Sequence, residues 1–99
     1  MPVSDDGMQG YGRVPGLITE VVDNEIFVLD PGKGRIHAMN ASAAALWQLL
    51  EEPAALAELV EDFAAAFPAV SRTKLQRDIE QGLADIRDKG LLRRVSLAG

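Results

Sequence analysis

At Asn40 the spacing of apolar residues changes, and that change constrains the fold more than any other feature of the chain. Before it, apolar residues come in short runs rich in Val, Ile and Phe, separated by turn signals; after it, they recur every three or four positions. The first pattern belongs to strands and the second to amphipathic helices. Strands and helices are therefore segregated along the chain, which defines an α+β domain and not a doubly wound one. Ninety-nine residues supply one hydrophobic core but not two.

The first half divides at its turns. Residues 1–16 are rich in Gly, Asp, Ser and Pro without apolar periodicity, and read as a flexible N-terminal arm ending at Pro15-Gly16. Leu17 to Val22 and Glu25 to Leu29 flank Asp23-Asn24, which predicts a hairpin. Asp30-Pro31-Gly32-Lys33-Gly34 is a second turn, leading into a third strand over Arg35, Ile36, His37, Ala38 and Met39. Alternation along that strand places Ile36 and Ala38 on one face and Arg35, His37 and Met39 on the other, one face toward the core and one outward. The expectation is a three-stranded antiparallel sheet.

Three helices follow. Asn40 or Ser42 can cap the first, whose stripe is Ala43, Leu46, Trp47 and Leu50, with Trp47 expected to anchor the core. Pro53 suits the first turn of a second helix with Leu56, Leu59, Val60, Phe63 and Phe67 on one side, and Pro68 stops it. Ser71 is the expected cap of the longest helix, from about Arg72 to Lys89, with Leu75, Ile79, Leu83 and Ile86 buried. Gly90 closes it in a left-handed conformation, Leu91 and Leu92 fold back, and residues 93–99 read as a tail. The domain thus spans 17–92.

Composition excludes several kinds of chemistry. A net charge of -5 argues against a polyanionic partner such as nucleic acid. The absence of cysteine removes disulfides, thiolate metal sites and thiol nucleophiles, and is compatible with a cytoplasmic protein. The opening MPVSDDGMQG has neither the basic start nor the apolar run of a signal peptide, and no apolar stretch is long enough for a membrane span. His37 is the only histidine, so it can neither join a His-rich metal site nor belong to a helical His pair. The acids Glu51, Glu52, Glu58, Glu61 and Asp62 fall on helical segments without the spacing of a calcium loop. Pro31-Gly32-Lys33-Gly34 lacks the spacing of a phosphate loop and precedes a strand, so it reads as a tight turn. No catalytic set, metal or cofactor is expected, and the chain reads as a non-enzymatic binding domain.

The run Met39-Asn40-Ala41-Ser42-Ala43-Ala44-Ala45-Leu46-Trp47 resembles the PqqD-like family, also called RiPP recognition elements. The likeness continues through Leu59-Val60, Phe63, Asp78-Ile79, Leu83 and Ile86 to Gly90-Leu91-Leu92, and covers roughly Pro15 to Leu92. It implies a winged helix-turn-helix-like domain that binds the leader of a ribosomal precursor peptide and presents it to a separate modifying enzyme. It further implies that the leader adds a strand beside Arg35 to Met39 and lies against the last helix, lined or bordered by Leu75, Asp78, Ile79, Gly82 and Ile86. An unpaired strand edge is physically suited to that task, because its free N–H and C=O groups form a ready template. Gly82 departs from the family's large apolar residue; the space left there either widens the peptide pocket or admits a neighbouring side chain.

Two other readings remain open at this level. One is a winged-helix DNA-binding regulator, since the last helix carries Arg72, Lys74, Arg77, Arg87 and Lys89, although Asp78, Glu80, Asp85 and Asp88 interrupt them. The other is a structural protein-interaction domain, including a homodimer formed by strand or hairpin exchange.

Overall fold

A computed structural model describes residues 9–97. Its order is β1 (Gln9–Arg13), β2 (Ile18–Val22), β3 (Glu25–Asp30), β4 (Arg35–Met39), α1 (Ala41–Leu49), α2 (Leu56–Ala66), α3 (Arg72–Asp88) and β5 (Leu92–Ser96). The strands β2, β3 and β4 form an antiparallel sheet in that spatial order, and the three helices follow as the apolar period requires. The fold is α+β.

The hairpin turn is a two-residue one, because Val22 pairs with Glu25. Asp23 and Asn24 both take positive φ, of 52° and 68°, the backbone twist that joins antiparallel strands without splaying them. The helices begin at capped positions. Asn40 Oδ1 accepts from the Ala43 N–H at 2.8 Å, and Ser71 Oγ accepts from the Lys74 N–H at 3.2 Å. In α2 the Glu58 carboxylate reaches back to accept from the Ala55 N–H at 3.0 Å. Pro53 lies before that helix and not in its first turn, because Ala54 is held in a β-bridge to Tyr11 and α2 starts at Leu56. Gly90, at φ 77°, ends α3, and the Leu91 N–H returns to the Ile86 carbonyl at 3.2 Å.

Trp47 is fully buried at the centre of the core, among Val28, Leu50, Leu59, Ile86 and Leu91. Its indole N–H donates to Thr19 Oγ1 at 2.9 Å, so the core's largest side chain is also satisfied as a polar group.

The expectation for both ends of the chain is corrected. Residues 9–13, expected within a flexible arm, form β1, and residues 92–96, most of them expected in a tail, form β5; the two pair antiparallel, with Tyr11 opposite Arg94. Gly10 and Gly12 disguise the strand in the sequence and let the Leu97 and Val95 side chains pack close against it. A Cβ at residue 10 would stand 2.7 Å from Leu97 Cδ1, and one at residue 12 would stand 3.2 Å from Val95 Cγ1. Arg13 fastens this ribbon to the core: its guanidinium lies 4.4 Å from the Trp47 ring centroid and donates to the Trp47 carbonyl. Residues 1–8 and 98–99 lie outside the described residues.

The structure also decides the faces of β4, which alternation left open. Directly paired residues share a face, and Met39 and His37 pair with the buried Ile26 and Val28. Met39 and His37 are therefore the core side. Ile36 and Ala38 look outward beside Leu29 and Phe27, and Ile36 is 70% exposed. Alternation fixes which residues share a face, and only the register with β3 fixes which face is inside.

Candidate functional site: a free strand edge beside an apolar cleft

β4 hydrogen-bonds to β3 alone, and its other edge carries no strand among the described residues. At residues 35–39 the outward backbone N–H and C=O groups are thus available to another extended chain. The strand ends at Met39, Asn40 caps α1, and the first turn of α1 enters the wall of a cleft of about 320 Å³. Edge and cleft are joined through that one residue.

Three helices build the cleft. α1 contributes Leu46 and the residues Ala41, Ser42 and Ala45, whose small side chains leave the space open. Phe63 and Phe67 of α2 and its C-terminal boundary close one side, their rings stacked with centroids 6.2 Å apart, and Val70 follows them. Leu75 and Ile79 of α3 form the apolar floor, while Lys74 and Asp78 stand at the rim in a 2.9 Å ion pair one helical turn apart. Phe67 is 52% exposed, a large apolar cost for an unoccupied surface.

The expected residues separate on this geometry. Arg35, Ile36, His37, Ala38 and Met39 form the free edge, with Met39 buried beneath it. The His37 Nε2 is buried and has no hydrogen-bond partner among the described residues. Leu75, Asp78 and Ile79 line the cleft. Gly82 and Ile86 do not. Ile86 is core, and the space at Gly82 is filled by Leu46, which answers the alternative between a wider pocket and a neighbouring side chain in favour of the neighbour. Ala41, Ser42, Ala45, Phe63, Phe67 and Val70 were not singled out as cleft residues by spacing alone. The signal that marks the first three is their smallness at the start of a helix directly after a strand.

Among the described residues no group of three or more His, Asp or Glu side chains could hold a metal ion, and no helix is long and apolar enough to cross a membrane. The two clear shifts of carboxylate and guanidinium ionisation on the helices belong to Glu61 and Arg72. Their bidentate pair, at 2.6 and 3.0 Å, holds Glu61 below its usual range and raises Arg72, and it ties α2 to α3. Burial lowers the Arg13 pKa against a smaller opposing effect of Glu51.

Comparison with known proteins agrees with this architecture. TbiB1, solved in complex with the TbiA(beta) leader peptide, is 26% identical over 83% of this chain and 94% of its own, with a TM-score of 0.73. A lasso peptide synthetase B1 complexed with its leader peptide is 23% identical over 84% of this chain and 96% of its own, with a TM-score of 0.70. The PqqD truncation of Methylobacterium extorquens PqqCD, a stand-alone RiPP recognition element solved by NMR, has a TM-score of 0.68 at 17% identity, covering 85% of this chain and 88% of its own. The last two establish likeness of fold. No curated protein matches the chain. Residues 25–92, from the first residue of β3 to the first of β5, match the family described as coenzyme PQQ synthesis protein D, and the chain belongs to that PqqD family.

Proposed function

We propose that this protein is a non-catalytic module that recognises the leader of a ribosomal precursor peptide and presents it to a separate modifying enzyme in the cytoplasm. The observation that carries this reading is the free edge of β4 running into an apolar cleft. An extended leader completes the sheet along residues 35–39, and its apolar side chains enter between α1, α2 and α3. Backbone hydrogen bonds then supply affinity largely independent of sequence, while the cleft selects side chains. The module contributes proximity, since holding a substrate beside an enzyme raises its effective concentration without any chemistry of its own. TbiB1 and the lasso peptide synthetase B1, similar in fold, were both solved with leader peptides, which supports the reading.

Nucleic acid is disfavoured by the charge of the chain and by the pairing of two basic residues at the start of α3. Arg72 is engaged by Glu61 and Lys74 by Asp78, and the chain is acidic as a whole.

Titration with leader peptides encoded beside this gene tests the proposal. Successive amides of a strand point to opposite edges, so proline at both 36 and 38 and proline at 37 alone remove donors from different sides. The variant whose lost amides face outward keeps its fold and loses at least tenfold in affinity. Absence of binding to every such leader refutes the reading.

A further inference from the structure

The ribbon of β1 and β5 creates a second concave surface, separate from the proposed leader site. Against α3 it encloses a cleft of about 290 Å³. Leu83 and Leu92, both buried, form its floor with Ala84 and the Tyr11 ring. Arg87, Arg93 and Arg94 also line it, together with one acidic residue, Glu80. Three of the chain's ten basic residues thus gather at one small site on a protein of net charge -5.

These guanidiniums are available. Among the described residues Arg93 and Arg94 belong to no ion pair, and Arg87 makes only a loose one to Asp88 at 3.7 Å. The Arg94 guanidinium lies 5.2 Å from the Tyr11 ring centroid, so its charged end is held over the aromatic part of the floor. The cleft also lies away from the first. Lys74, Leu75, Asp78 and Ile79 project from the N-terminal half of α3, whereas Glu80, Leu83, Ala84 and Arg87 project from its C-terminal half, roughly 160° further round at about 100° per residue. Both can be filled at once.

We propose that this second cleft docks an acidic segment of a partner polypeptide, with aliphatic side chains on the Leu83–Leu92 floor and carboxylates on Arg87, Arg93 and Arg94. Guanidinium forks recognise carboxylates in a planar, two-bond geometry, and the apolar floor demands more of the ligand than charge. A polypeptide is favoured over nucleic acid because the site is short, includes a glutamate and sits on an acidic protein. In naming the modifying enzyme as the owner of that segment the inference rests on the proposed function; the preference for an acidic, aliphatic chain does not.

Isotopically labelled protein titrated with a blocked peptide of glutamates and leucines, and with its glutamine counterpart, tests the site. Saturable amide shifts are expected at Tyr11, Ala84, Arg93 and Arg94, with at least tenfold tighter binding of the glutamate peptide. The Arg93→Glu/Arg94→Glu variant loses those shifts while its remaining spectrum stays native. Arg87→Ala, a milder change, weakens binding in the same direction. Equal binding of the glutamine peptide, an equal response to free citrate, or tighter binding of a DNA or RNA oligonucleotide overturns the proposal. Leader peptide added to the same samples reads residues of β4 and the N-terminal half of α3, so failure of leader binding is seen separately from failure of this cleft.

Discussion

Gly82 and Leu46 share one space: a δ-methyl of Leu46 sits where the Cβ of any other residue at 82 would have to stand. Glycine inside a helix costs about 1 kcal/mol relative to alanine, so Gly82→Ala improves the helix while overpacking the α1–α3 contact. Overpacking costs typically about 1–3 kcal/mol, and Leu46 is buried and unable to swing away freely. The expected outcome is a net loss on the order of 1 kcal/mol in urea unfolding. In a Leu46→Ala background the same substitution becomes stabilising, a sign reversal that a double-mutant cycle reads directly.

The facing of β4 predicts opposite outcomes for two neighbouring apolar residues. Met39→Ala deletes a core side chain and costs about 2–5 kcal/mol. Ile36→Thr changes an outward residue and stays within about 0.5 kcal/mol. Chemical denaturation of the two variants distinguishes this arrangement from the reverse one.

Removing Arg13 should loosen the ribbon before it loosens the core. Its cation–π contact and hydrogen bond to the Trp47 carbonyl together are worth on the order of 2 kcal/mol. Arg13→Gln is expected to raise hydrogen exchange at Gly10, Gly12 and Val95 while the helical amides around Trp47 retain most of their protection. Arg13→Lys does not restore the contact, because an ammonium lacks the planar fork.

The Glu61–Arg72 pair gives stability a pH dependence of known sign. Arg72 holds the Glu61 carboxyl below its unfolded value, so the pair stabilises the fold above the ordinary glutamate range and the contribution fades as pH falls through the folded value. Both groups are exposed, so the effect is small. Glu61→Gln should lower the urea midpoint at about pH 7 and leave it unchanged near pH 2, below the carboxylate range.

The main elements of the domain were legible from residues close together in the chain. Asp23-Asn24 marked a tight hairpin, Asn40 and Ser71 marked helix starts, and the spacing of Leu75, Ile79, Leu83 and Ile86 marked a buried stripe. In each case the determinant lies within one turn or one strand, where backbone sterics and side-chain period act locally. The free edge was legible too as an expectation for residues 35–39, though spacing named only part of the cleft beside it.

What only the tertiary structure decided involves pairs distant in sequence. A strand's period of two is symmetric between its faces, so the inward side of β4 depended on its register with β3. The ribbon depended on Gly10 and Gly12 meeting Val95 and Leu97 across most of the chain, and glycine carries no pattern that announces such a partner. The space at Gly82 acquired meaning only when α1 delivered Leu46 into it. Local propensity specified the elements; excluded volume and long-range pairing specified which surfaces they left open.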